Sequence, residues 1–328
     1  MPPVAWPVSP CVGKVRGAAN TFAFATPLHP SRVRCSIKAQ KMPPKRVAET
    51  LTGRLQSKLD ARASRETKGW IEKYMKNVIE ARGLQTPDVV SMVAEWRREE
   101  GVDELAPKTQ KMIATLLMKS DYTEDKLASS LVFQTCLIPS GSIAWRDSLP
   151  WFASFFDDGL IWDWASCDGF CGRVLKHLVM SQKERAEREA CARGISEWRN
   201  AENLWRQRAS CVSFVTLAKQ GDAFFPGFKD MLLDGCGTTV RRQERFVQTG
   251  TGWLLREIGK GDESALVEFC EWNLEWFTGE GLRYAVEKLP REQSSKLRDR
   301  HKERRARQGA NTGGEREPQK RKRKPEDR

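Results

Sequence analysis

The sequence predicts an all-α protein, built as HEAT-like helical repeats in an α–α superhelix whose stacked helical pairs leave a concave face. Three observations lead there. Apolar residues recur at spacings of three and four through most of the chain, the period of a helix with one buried face. No segment shows the apolar–polar alternation of a half-buried strand. Turns containing Gly, Pro or Asp separate the helical segments at intervals of roughly 15–20 residues, the rhythm of stacked helical pairs.

The helix with the clearest start follows Gln85. Thr86 offers a capping hydroxyl, Pro87 a preset φ at the first helical position and Asp88 an acid for the first turn, ahead of Val90, Val93 and Trp96. The same spacing continues over residues 112–118, 127–137, 164–180, 204–217, 247–258, 266–276 and 282–289. Trp162, Trp205, Trp272 and Trp276, among twelve tryptophans, are expected in the core, as most helical tryptophans are. Glu257, next to Arg256, reads as its ion-pair partner.

Composition changes on either side of this body. Residues 1–48 carry eight Lys or Arg and no acid, a net +8, without a hydrophobic period. That is the composition of an organellar transit peptide, addressing the chain to chloroplast or mitochondrion. The alternative is a disordered extension ahead of a true start at Met42. From Arg291 onward the chain again carries a net +8. It reads as a helix that ends a domain spanning 49–308 and passes into a disordered basic tail over 309–328. Residues 320–324, a run of Lys and Arg, would serve nuclear import, phosphate binding or solubility alone.

Residues 49–290 carry 33 basic and 36 acidic residues, a net −3, so the total of +13 belongs to the ends. A surface for polyanions in the body requires basic residues gathered on one side. No uninterrupted apolar run approaches the roughly 18–20 residues that cross a bilayer as a helix. Nine cysteines without a CxxC pair give neither a zinc spacing nor a disulfide framework, so reduced, buried thiols are expected. Cys167 and Cys171 stand four apart, but two ligands from one helix leave a tetrahedral shell unfilled.

Three clusters set tryptophan beside charge: residues 161–168, 204–208 and 252–257. In the first, Trp164 and Asp168 are four apart and share one face of a helix. An indole beside a carboxylate is a receptor for a cation, through cation–π attraction and through a charge that acts more strongly where water is excluded.

In order and content these clusters resemble the AlkD-like DNA alkylation repair family, over most of the body. Tyr74-Met75-Lys76-Asn77 followed by Gln85-Thr86-Pro87-Asp88 resembles the family's YMKN and TPE stretch, and Trp164 to Asp168 its WxxxD element. Trp205-Arg206-Gln207-Arg208 resembles its WxRR segment, Gly252-Trp253-Leu254-Leu255-Arg256-Glu257 its GWxLRE, and Leu282-Arg283-Tyr284-Ala285-Val286-Glu287-Lys288 its LRYAIEK.

The resemblance implies a DNA glycosylase of base excision repair that releases positively charged N3- and N7-alkylated purines from double-stranded DNA held on the concave face. It implies action as a monomer, away from membranes and without a metal or small-molecule cofactor. Asp168 becomes the catalytic carboxylate, flanked by Trp164 and Trp253, with Arg208 and Tyr74 completing the site. Arg208 would hold a phosphate or Asp168 itself. Contacts to DNA fall to Tyr74, Lys76, Arg206 and Arg256. The family works from the backbone side without extruding the base, which implies tolerance of bulky adducts.

The sequence departs from the pattern in three places. Gln207 stands where an arginine is common, Thr249 where a lysine is common, and residues 235–251 read as a longer loop that alters substrate fit. Taken alone, each site residue has a plainer role: Asp168 a surface carboxylate, Trp253 core, Arg208 a solvated face, Tyr74 a hydrogen-bonded core residue. The rival functions are a non-catalytic HEAT-repeat protein that binds damaged or branched DNA, and a helical scaffold for protein partners.

Overall fold

A computed structural model describes residues 42–312, with side chains through residue 307. Residues 1–41 of the expected leader and the basic run 320–324 lie outside the described residues. Within them the chain is all-α: fifteen α-helices and no β-strand, with one isolated bridge between Glu80 and Tyr122. No helix there is long and apolar enough to cross a membrane.

The helices are α1 Pro44–Arg62, α2 Arg65–Tyr74, α3 Thr86–Glu100, α4 Pro107–Met118 and α5 Thr123–Val132, then α6 Trp145–Asp157, α7 Trp164–Phe170, α8 Lys176–Met180, α9 Arg185–Ser196 and α10 Leu204–Val212. They continue with α11 Phe228–Thr239, α12 Arg245–Gly259, α13 Glu263–Trp272, α14 Gly279–Ala285 and α15 Arg291–Thr312. Two π-helical segments, Phe133–Leu137 after α5 and Cys171–Leu175 between α7 and α8, keep those stretches helical without a break.

Local chemistry explains the starts. Asp163, Asn203, Asp262 and Thr278 place side-chain oxygens on the first free amides of α7, α10, α13 and α14, satisfying donors that have no partner inside the helix. Prolines open α1, α3 and α4, where the missing N–H is not needed. Gly101, at φ 63°, closes α3 in the left-handed conformation that glycine adopts without strain.

The helices pack as two rows. α5, α7, α10, α12 and α14 lie side by side, each against the next. α6, α9 and α11 form the second row, and α11 and α13 pack on α12. Successive helices therefore stack in pairs, as the repeat spacing predicts. Between α5, α6 and α7 the rings of Phe133, Phe152, Phe155 and Phe170 pack with centroids 5.2–6.2 Å apart. Each such ring is worth about 1.5–3 kcal/mol on burial, and together they fix α7 against α5.

Several expectations need correction. Trp272 is 78% exposed and Trp276 37% exposed rather than core. Leu266 and Cys270 form the buried face of α13, and Trp272, two residues further, lies about 200° round the helix from Cys270. Trp276 instead lies under the Arg241 guanidinium, 5.2 Å from its ring centroid. Thr86 is the first helical residue, not the cap; Gln85 holds that position and makes no side-chain cap bond. Residues 235–251 are not a long loop but the end of α11, a short turn and the start of α12.

The body also begins earlier than residue 49, since Val47 and Ala48 are buried in α1. At the other end, Leu297 and His301 are buried in α15, and the His301 Nε2 lies 2.8 Å from the Phe277 carbonyl. All seven described cysteines are buried and free.

Candidate active site

The site starts from the cap of α7. Asp163 is buried, and its Oδ1 accepts from the Ala165 and Ser166 amides at 2.9 Å. Burial raises its pKa, against those bonds and the nearby Lys126 charge. Lys126 donates to the carbonyls of Met118 at 2.9 Å and Leu160 at 2.7 Å, with its Nζ 4.2 Å from the Trp162 ring centroid; burial lowers its pKa to about 8. With its first turn fixed this way, α7 projects Trp164 and Asp168 from one face.

Asp168 meets Arg208 of α10. Nε donates to Oδ1 and Nη2 to Oδ2, each at 2.8 Å, the two-point geometry of a guanidinium fork on a carboxylate. Nη1 donates to the Phe246 carbonyl at 2.7 Å and the Thr249 hydroxyl at 3.2 Å. The Arg208 side chain is 7% exposed and that of Asp168 19%. Burial opposes the Arg208 charge, but Asp168 outweighs it and holds the guanidinium above its ordinary range. Gly250 makes room for this arrangement: a Cβ there would stand 3.1 Å from the Arg208 Cγ and 3.3 Å from Nη1.

An aromatic wall adjoins the carboxylate. The Tyr74 ring meets Trp164 edge-on at 5.3 Å between centroids, and Trp70 stacks parallel on Tyr74 at 5.4 Å. Burial raises the Tyr74 pKa, and the nearby Tyr284 and Asp168 add to the shift, so the phenol is neutral at physiological pH. Lys76 and Asn77, at φ 57° and 56°, turn the chain immediately after Tyr74. Left-handed backbone at two consecutive non-glycine residues is uncommon.

The structure thus joins Tyr74, Trp164, Asp168 and Arg208 into one group. Half-buried Trp253 lies one helical turn beyond Thr249, on the same face of α12. Lys76 is exposed. Arg206 pairs with Asp157 at 2.9 Å and lies over Trp198, two positions from Arg208 and so about 200° round α10. Arg256 pairs with Glu257 at 3.1 Å, as expected, and with Glu287 at 2.6 Å.

Two residues join the group without having been expected in it. Tyr284 lies within the Leu282–Lys288 string, and a Cβ on Gly252 would stand 2.8 Å from its Cβ. Trp70, 53% exposed, lies four positions before Tyr74, and that spacing was its one sequence signal. Chemically, the group is an anion oriented by a buried fork, partly open to solvent and walled by π faces. It is suited to receiving positive charge. Among the described residues no group of three or more His, Cys, Asp or Glu is arranged to hold a metal ion.

The family model for the DNA alkylation repair enzymes matches residues 55–289, a span that contains every residue of this group. Among solved structures, a predicted DNA alkylation repair enzyme from Enterococcus faecalis is similar in fold, with a TM-score of 0.57 at 16% identity over 70% of this chain and 97% of that chain. No curated protein sequence matches the chain.

Proposed function

The chain belongs to the DNA alkylation repair enzyme family, and from that premise we propose that it is a DNA glycosylase releasing cationic N3- and N7-alkylated purines from duplex DNA. The observation that carries the reading is the Asp168 carboxylate, held by the Arg208 fork beside Trp164 and Tyr74.

An alkylated purine already carries positive charge, so its departure needs no general acid. What needs stabilising is the deoxyribose, which gains oxocarbenium character as the bond to the base lengthens. Asp168 stabilises that charge and orients the attacking water. Trp164, with Trp253 one turn beyond Thr249, favours a cation over a neutral nucleoside. Arg208 spends its donors on Asp168, Phe246 and Thr249, which supports a role in positioning Asp168 rather than in holding phosphate.

The test is single-turnover release of 7-methylguanine from duplex DNA by the full chain and by Asp168→Asn. Removing one preorganised electrostatic group costs about 10²–10³ in rate, so the variant is expected to lose that much while binding duplex as before. Binding without base release by the wild type would replace this reading with a non-catalytic DNA-binding one.

A further inference from the structure

The helical stretch that carries Asp168 also carries a second polar group that the proposed reaction does not use. Arg173 lies in the π-helical segment Cys171–Leu175, and Lys176 and His177 open α8. Facing them, Gln134 lies in the π-helical segment Phe133–Leu137, and the two π segments pack against each other. π-Bulges of this kind are frequent at functional sites.

The side chains form a directed chain of hydrogen bonds. Arg173 Nη1 donates to Gln134 Oε1 at 3.2 Å, Gln134 Nε2 donates to His177 Nε2 at 3.0 Å, and His177 Nδ1 donates to the Gly172 carbonyl at 3.2 Å. This order assigns His177 as neutral, with its proton on Nδ1. Among the described residues, Arg173 uses one of its five N–H groups in a hydrogen bond and Lys176 none of its three.

Among the described residues no carboxylate acts on either cation. Burial alone lowers the Arg173 pKa, and burial followed by the Arg173 charge lowers that of Lys176. Several other partly buried cations are paired with acids, Arg82 with Asp125, Arg208 with Asp168, Arg256 with Glu257 and Glu287, while Lys126 and Arg188 donate to backbone carbonyls. Two adjoining, half-desolvated cations without an acid disfavour the free protein. They complement an anion from outside the chain.

Position selects that anion. Arg173 lies five residues past Asp168 in the same continuous helical stretch, and the anion that a DNA repair enzyme meets that near its carboxylate is a backbone phosphate. We propose that Arg173 and Lys176, positioned by Gln134 and His177, form a subsite for a backbone phosphodiester of the duplex, close to the reacting nucleotide. The planar Arg173 fork suits two non-bridging oxygens, and Lys176 adds a point charge. The register against the lesion rests on the reading of Asp168 given above; the phosphate contact does not.

The test is binding of the full chain to an undamaged duplex, by fluorescence anisotropy over a range of KCl concentrations. Undamaged DNA is the probe, so an absence of base release would leave the result unaffected. Arg173→Gln and Lys176→Gln are each expected to reduce the slope of log K against log salt by about 1. The double variant should lose about 2, with equal weakening on undamaged and methylated duplexes. Arg173→Lys keeps the charge and should keep the slope, with melting curves showing that each variant is folded. An unchanged slope in the double variant would overturn the assignment, and so would a slope lost equally in Arg173→Lys.

Discussion

Arg208 makes four hydrogen bonds that never leave the protein. Lysine in its place keeps the charge but not the fork, so Asp168 would be held at one point instead of two. Small displacements of a reacting group cost up to about 10²-fold in rate, and Arg208→Lys should lose about that much in single-turnover release while its affinity for undamaged duplex stays that of the wild type. A parallel fall in affinity would show that Arg208 also holds DNA. His177 makes a pH prediction. Burial, then the charges of Lys176 and Arg173, lower its pKa below 6.5, against the Gly172 bond that raises it. Well above pH 6.5 the ring is neutral in folded and unfolded chains alike and has no effect. As pH falls below 6.5 the unfolded chain takes up the proton first and stability drops, levelling once pH passes the folded pKa. His177→Gln should therefore lose less Tm than the wild type between pH 7.5 and 5.5; an equal loss would contradict this. Trp164 and Asp168 were legible because they are four apart on one helix. The choice of Arg208 partner was not, since it depends on packing between α7 and α10, 40 positions apart.

Glycines on opposite sides of α12 set its spacing. Gly250 faces Arg208 on α10, and Gly252 faces α14, where an added Cβ would stand 2.4 Å from the Gly281 carbonyl and 2.8 Å from the Tyr284 Cβ. Gly252→Ala must push backbone apart, at about 1–3 kcal/mol, and should lower both Tm and base release by displacing Tyr284. Gly53→Ala on α1, with open space around its Cβ, should stabilise by about 0.5–1 kcal/mol. Equal melting shifts in the two variants would refute the packing argument. Helices with a cap or a regular apolar stripe, such as α7 and α12, were legible in the sequence. α2 was not, because its stripe of Trp70, Ile71 and Tyr74 is short and none of these residues is fully buried. The Trp272 error has the same origin: apolarity gives a residue's preference, while the presence of a covering neighbour decides its burial.

Anchoring is uneven across the molecule. α12 packs against α10, α11, α13 and α14, whereas α2, which carries Trp70 and Tyr74, has no fully buried residue. Local opening follows buried contact, so hydrogen–deuterium exchange should be fast in α2 and slowest in α10 and α12; equal protection would contradict this. The all-α class and the paired stacking followed from periodicity and turn spacing, which are local. The constellation itself draws on α2, α7, α10, α12 and α14, and only the assembled rows bring those together. Such a site can be divided. Cutting the chain in the exposed turn of Arg241–Glu244 would leave Asp168 and Arg208 on one fragment and Trp253 and Tyr284 on the other, each with its own helix pairs. Recovered activity would then report reassembly of the two halves, making the protein a split reporter whose signal is repair chemistry.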